Sequence, residues 1–303
     1  MTNQIGVGFI GLGAMGAPMA SLLAKAGVNL TVCDLDSAQC AKLAAMGARV
    51  VGSPAEVARY ATRIMCMVET TAQVREVVSG TNGIMDTALE GHMIACMSTV
   101  ALDELKELAS ELAVKKVMFI DAPVSGATEG ATAGTLAIFA SGDSRALDAF
   151  EPLFHIMGTN VFKLGPIGQG TVAKLVNNML FHVNNVAVAE ALMLGAKAGL
   201  DPQTIYEMVK VSTGYSVAFE LRAPRMIAGN FEPGGKVDIS YKDQELQTAL
   251  AKRLGVPLLL ATVSQQVYQM GKSMGFGRED GSAVIKVYDA LTGGSYPFAV
   301  DKN

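Results

Sequence analysis

The stretch Gly8–Met19, GFIGLGAMGAPM, puts glycines at 11, 13 and 16 between an apolar run and a helical pattern. Glycine weakens strands and helices alike, so this spacing requires a reason. A strand-to-helix turn supplies one. Gly11 permits the tight turn, Gly13 lets the backbone approach a pyrophosphate, and Gly16 lets helix and strand pack. Phosphate oxygens then meet the open N–H groups and positive end of the helix. The predicted cradle is Gly11, Leu12, Gly13, Ala14, Met15 and Gly16. A GxGxxG alone is weak, but its surroundings strengthen it. The next apolar run ends in CDLD, and Asp34 lies 18 residues after Gly16, where an acid binds the adenosine ribose hydroxyls. A carboxylate there repels a 2′-phosphate, and no arginine stands between Asp34 and Gln39 to receive one. The pattern predicts NAD rather than NADP.

Outward from this turn, the hydrophobic period alternates. Strand-like runs IGVGFIG, VNLTVCD, TRIMCMV, HMIACMST, VMFIDAPV, TLAIFASG and NVFKLG are interleaved with helical segments. One of these helices opens at Ser53, Pro54 and Glu56 with a capping box and a proline at the first helical position. Strands alternating with helices predict a doubly wound parallel sheet covered on both faces. After Gly165-Pro166 the strand signal ends. A long helix runs through TVAKLVNNMLFHVNNVAVAEALMLGAKAGL, Asp201-Pro202 opens the next, and further helices follow near 217–228, 239–254, 257–274 and 281–291. The fold expectation is α/β. An N-terminal Rossmann domain occupies 1–164, and an all-α domain, joined by a long interdomain helix, occupies 165–303.

Composition sets the outer bounds. Half of the 303 residues are hydrophobic and 17% are charged, enough for a large core. A net charge of −4 disfavours a nucleic-acid partner. The opening residues carry no basic, apolar leader pattern, and Glu190 and Lys197 interrupt the most apolar run, so no membrane span is expected. Cys33, Cys40, Cys66 and Cys96 form no CxxC pair and read as reduced core thiols of a cytoplasmic protein. The scattered His92, His155 and His182 predict no metal site.

Two further stretches carry chemistry. DAPVSGATEGATAGT, 121–135, follows a strand and so sits at the carboxyl edge of the sheet. Ser125 and Gly126 there could hold a carboxylate, although an ordinary flexible loop reads the same way. In GQGTVAKLVNN, Lys174 and Asn178 share one helix face. Lysine in a mostly apolar helix either snorkels to water or serves as a proton carrier.

These motifs together, GFIGLGAMGAPM, DAPVSG, GQGTVAKLVNN and YKD at 241–243, resemble the β-hydroxyacid dehydrogenases in order and spacing along the whole chain. The stretch GREDGSAVIKVYDALTG looks close to the 3-hydroxyisobutyrate and 2-(hydroxymethyl)glutarate dehydrogenase branches. The resemblance implies that Lys174 is the catalytic lysine and that Asn178 orients the substrate hydroxyl. It places Ser125 and Gly126 on the substrate carboxylate and Lys242 over cofactor and substrate. It sets Ser98-Thr99 near the nicotinamide and Val68-Glu69 beside the ribose. Glu69 departs from a proline, and Ala127 from a glycine, common in that family. Asn177 and Asp34 depart from the phosphogluconate dehydrogenase pattern, and Lys174 from that of the imine reductases. The implied reaction is reversible, NAD-dependent oxidation of a small β-hydroxy carboxylate, with Lys174 taking the hydroxyl proton. A non-catalytic NAD sensor or scaffold, or an NADP-type reductase of the same superfamily, is the alternative. Thr213, Tyr215, Ser216 and Phe231 are candidates for sensing the substrate's α-carbon group. The long apolar helix predicts a homodimer or homotetramer.

Overall fold

Four consecutive buried residues, Val7 to Ile10, suit the middle of a sheet covered on both faces. The computed structural model, which describes residues 6–294 and 296, places them there. The strands are β1 (Val7–Ile10), β2 (Leu30–Cys33), β3 (Arg49–Val50), β4 (Arg63–Cys66), β5 (Met93–Cys96), β6 (Met118–Asp121), β7 (Val124–Ser125), β8 (Leu136–Gly142) and β9 (Gly158–Lys163). Ile5, where the first expected strand began, lies outside the described residues. Strand order is β3-β2-β1-β4-β5-β6-β8-β7, with β9 on β8.

The helices are α1 (Gly16–Lys25), α2 (Ser37–Ala45), α3 (Pro54–Tyr60), α4 (Thr71–Ser79), α5 (Leu102–Val114), α6 (Ala127–Ala133) and α7 (Ser144–Met157). They continue with α8 (Gln169–Lys197), α9 (Pro202–Lys210), α10 (Val217–Ala228), α11 (Val237–Leu254), α12 (Leu259–Ser273) and α13 (Ile285–Leu291). The described residues divide into two compact units between Lys174 and Leu175, within α8.

Alternation along the strands builds the two cores of the first unit. Phe9, Val32, Met65, Ala95 and Ile120 pack with Met19 and Leu23 of α1 and Phe150, Phe154 and Met157 of α7. Ile10, Ile64, Cys66, Ile94 and Cys96 pack with Val57, Val78, Leu105 and Leu112 from α3, α4 and α5. Burying each such large side chain contributes about 2 kcal/mol, so the helices are held mainly by this packing. In the second unit, Leu192, Ile205, Phe219, Met226, Val267 and the fully buried Tyr268 form the core.

Register positions the functional edge. Ile10 lies beside Cys33 and Cys66, Cys66 beside Cys96, and Cys96 beside Asp121. Five parallel strands therefore end on one level row. The residues that follow, Asp34, Gly11, Met67, Met97 and Ala122, open the carboxyl edge of the sheet. The chain runs from β1 to β2 and β3 on one side and then crosses back to β4 on the other, which makes this edge the topological switch point where doubly wound sheets bind ligands.

Some local expectations are corrected. The sheet is not wholly parallel, because β8 runs antiparallel to β6 and β7. VMFIDAPV breaks at Ala122-Pro123, since proline cannot donate to a ladder, and yields β6 and β7. The glycine-rich 121–135 stretch is not a plain loop but forms β7 and the short α6. The helix expected over 281–291 begins as a 3-10 turn, Gly281–Val284. Ser53 does cap Glu56 N–H, at 3.2 Å, but the Glu56 carboxylate accepts from Gly52 N–H, so the box does not close. The reciprocal box forms instead at Thr70 and Gln73, opening α4. Among the described residues, α8 alone is long and apolar enough to cross a membrane by length and composition, and such helices also occur in soluble cores.

Candidate active site

The Gly11–Gly16 turn behaves as a backbone cradle. Gly11 has φ +93°, and a methyl group on it would sit 2.2 Å from the Met67 carbonyl oxygen, so only glycine lets β1 and β4 end this close together. A methyl on Gly16 would lie 1.9 Å from the Gly11 carbonyl oxygen. At Gly13 the same group would meet nothing within 4 Å, so this face of the turn is open. No side chain caps the start of α1, where Ala17 N–H donates to the Gly13 carbonyl at 3.0 Å, and the positive end of the helix favours an anion there. These features fit a pyrophosphate.

The Asp34 carboxylate accepts from Leu12 N–H and, at 2.7 Å, from Asp36 N–H. It thus ties the end of β2 to the glycine turn. Each of its oxygens has a further lone pair for a ribose hydroxyl. At the neighbouring strand end, Val68 N–H donates to the buried Ser98 hydroxyl at 2.9 Å. Ser98 is therefore a brace between β4 and β5, and Thr99 beside it is the more exposed of the pair. Glu69 N–H donates to the Gln73 side chain at 2.9 Å. Proline has no N–H for that bond, so the departure at 69 gains a contact that fixes the turn into α4.

Ser125 is half-buried at the end of β7, and Gly126 is exposed beside it. Gly126 has φ +136° and Ala127 φ +54°. Alanine in the left-handed region carries a strain of about 1 kcal/mol that a glycine avoids. The departure at 127 therefore leaves its mark as backbone strain beside Gly126.

On α8, Lys174 is half-buried and Asn178 buried, one turn apart on one face. The Asn178 amide donates to Asp243 Oδ2 at 2.7 Å and accepts from Asn177 at 3.2 Å. Lys242 Nζ lies 3.2 Å from Asp243 Oδ1. Lys242, Asp243 and Asn178 thus form one charge-assisted array, which fixes the orientation of the amide. Asp243 is 5% exposed and was not among the expected site residues, although it stands in the YKD motif.

The specificity candidates divide. Ser216 caps α10 through Phe219 N–H, and the Tyr215 hydroxyl donates to Glu220. Thr213 is exposed, and the Phe231 ring lies 4.6 Å from Lys286 Nζ. Near Phe231, Asp280 is fully buried and accepts from Arg222, from Ser282 N–H, and from Gly234 and Gly235 N–H. Burial alone would raise its pKa, but Arg222 and these donors hold it below the ordinary aspartate value. Burial pushes the Cys33 thiol up to about 11 and Cys66 well above its usual range, so both are poor nucleophiles. No group of three or more metal-ligating side chains is found among the described residues.

The chain is similar to known proteins over most of its length. Residues 6–165 match the model of the NAD binding domain of 6-phosphogluconate dehydrogenase. Residues 168–288 match that described as NAD-binding of NADP-dependent 3-hydroxyisobutyrate dehydrogenase. The chain is 38% identical to 2-(hydroxymethyl)glutarate dehydrogenase of Eubacterium barkeri, covering 97% of this chain and 98% of that protein. It is 35% identical to the mitochondrial 3-hydroxyisobutyrate dehydrogenase of Rattus norvegicus, covering 94% and 88%. The crystal structure of 3-hydroxyisobutyrate dehydrogenase from Salmonella typhimurium superposes with a TM-score of 0.87 at 33% identity, over 93% of this chain and 99% of that one. A glycine-built dinucleotide edge, a lysine and asparagine one helical turn apart, and near-full-length similarity lead to one conclusion: the chain belongs to the β-hydroxyacid dehydrogenase family.

Proposed function

We propose that the protein catalyses the reversible oxidation of a small β-hydroxy carboxylate to the semialdehyde or ketone, with NAD as cofactor, in the cytoplasm and as a homodimer or homotetramer. The observation that carries this reading is Lys174 one turn before Asn178, whose amide Asp243 holds in a fixed orientation. NAD, when bound, supplies the hydride acceptor. Gly11, Leu12, Gly13, Ala14, Met15 and Gly16 hold its pyrophosphate. Asp34 holds the adenosine ribose and repels a 2′-phosphate, which favours NAD over NADP. Val68, Glu69 and Thr99 line the cofactor edge at the ends of β4 and β5.

The substrate carboxylate binds at Ser125 and Gly126. Asn178 hydrogen-bonds the substrate hydroxyl, and Lys174 accepts its proton as the neutral amine. In the reductive direction the Lys174 ammonium returns a proton to the forming alkoxide. Lys242, which pairs with Asp243, steadies that array and supplies positive charge near cofactor and substrate. Because Lys174 must be deprotonated to act as a base, oxidation rises with pH.

The test is NAD reduction, followed by absorbance of the reduced cofactor, with 2-(hydroxymethyl)glutarate, 3-hydroxyisobutyrate and related β-hydroxy acids. Turnover of at least one is expected, with NADP the poorer cofactor. Binding of NAD with no turnover of any would instead mark a sensor, and better efficiency with NADP would overturn the reading of Asp34.

A further inference from the structure

The start of α8 is held in an unusual way. Helices are ordinarily capped by a side chain adjacent in sequence. Here the acceptors come from the sheet. Asp121, the last residue of β6, is fully buried, and its carboxylate accepts from Gly168 N–H at 2.8 Å and from Thr171 N–H at 2.6 Å. Ser141, its cross-strand partner on β8, is also fully buried. The Ser141 hydroxyl donates to Asp121 and accepts from Gly170 N–H at 2.9 Å. A buried carboxylate facing helix N–H groups has both charge-assisted bonds and the helix dipole in its favour.

Gly170 makes the close approach possible. A methyl group there would lie 2.0 Å from the Phe139 carbonyl oxygen and 2.9 Å from Asp121 Oδ2. The backbone of α8 therefore rests against β8 with no room for a side chain. Lys174 stands one turn beyond Thr171 on the same rigid helix.

We propose that Asp121 and Ser141 are positioning residues for Lys174: they fix the axial position and rotation of α8, and so where its amine can reach. This inference rests on the catalytic reading of Lys174 above. Ser125 and Gly126 are less dependent on the anchor, because β7 has its own ladder to β8 through Val124–Ile138 and Ser125–Ala137. Loss of the anchor is therefore expected in kcat more than in KM. A displacement of about 1 Å far from the chemistry can cost on the order of a hundredfold in rate.

The experiment compares Asp121→Asn, Ser141→Ala, Ser141→Thr and Gly170→Ala by steady-state kinetics and by hydrogen exchange of the amides from 168 to 174, at a temperature where all are folded. Asp121→Asn, Ser141→Ala and Gly170→Ala are expected to lower kcat by roughly 10- to 100-fold, with KM within about threefold, and to speed exchange of these amides. Ser141→Thr keeps the hydroxyl and is expected to restore most of the rate. Combining Asp121→Asn with Lys174→Ala should add little to the loss from Lys174→Ala alone. Unchanged exchange would overturn the anchor. Faster exchange with unchanged kcat, or an Asp121→Asn loss that persists in full without Lys174, would overturn the positioning role. If the wild-type protein oxidises no hydroxy acid, the functional reading falls, and with it any action through Lys174. The exchange comparison still decides whether the buried pair anchors the helix.

Discussion

The dinucleotide edge of the first unit and the Lys242–Asp243–Asn178 array of the second are built by different means. The edge is made of backbone. Glycines open it, and the Asp34 carboxylate is tied to Leu12 only 22 residues away. The array is made of side chains, and its central bond joins residues 65 apart in the chain. A site built from backbone tolerates changes of side chain at most positions but not the loss of a glycine. A site built from side chains fails when any one member is truncated, because its partner is left buried with an unpaired polar group.

Substitutions sharpen this contrast. The largest effect is expected at Lys174. Lys174→Ala should lower kcat by roughly 10²–10⁴-fold, the usual range for a general acid–base residue, while NAD affinity measured by titration stays near wild type. A parallel loss of NAD affinity would mean that the two regions are not separable as described.

Next in size is the buried ion pair that accompanies the side-chain-built region. Asp280→Asn should cost about 3–5 kcal/mol at neutral pH, read as a fall in chemical unfolding midpoint, because it leaves the guanidiniums of Arg222 and Arg225 without their counter-charge. The folded pKa of Asp280 is depressed, so its contribution is present above the ordinary aspartate range and is lost as pH falls through the lower folded value. The gap between variant and wild type should therefore close below about pH 4. A constant gap down to strong acid would show that the Asp280 charge is not the source of this stability.

Asp34→Ala is expected to raise KM for NAD by roughly 10- to 100-fold, since it removes ribose hydrogen bonds and leaves Leu12 and Asp36 N–H groups without their acceptor. The same change should narrow the preference over NADP. A variant that keeps full NAD affinity would show the glycine turn to be self-supporting.

Smallest of these is Asp243→Ala, for which a loss of about tenfold in kcat is expected from release of the Asn178 amide. An unchanged rate would mean that Asn178 is oriented by the helix alone.

The same difference explains what could be read from the sequence. The glycine spacing, Asp34 and the alternating periods are local signals, and they located β1, β2 and most helices. The Ser53 cap was also legible, but its reciprocal partner was not, because Glu56 turns to Gly52 instead. Asp121 and Asp243 both stand inside motifs visible in the sequence. Their roles were hidden because their partners, at Gly168, Thr171 and Asn178, lie tens of residues away. The short β3 and α6 were missed for a different reason: two residues carry no period, and ATEGATA has too many small residues to show one. The strain at Ala127 depends on a backbone angle that no composition reports.

The central claim is that Lys174 moves the proton, and Lys174→Arg tests it most directly. Arginine keeps the charge, the length and the ability to reach water, but it stays protonated at working pH and cannot act as a base. The measurement is kcat for oxidation of the best β-hydroxy acid substrate, with folding and NAD affinity checked on the same preparation. The account predicts a loss comparable to that of Lys174→Ala, with both controls near wild type. Wild-type turnover in the arginine variant, with normal folding and NAD binding, would contradict it and assign the proton to another group.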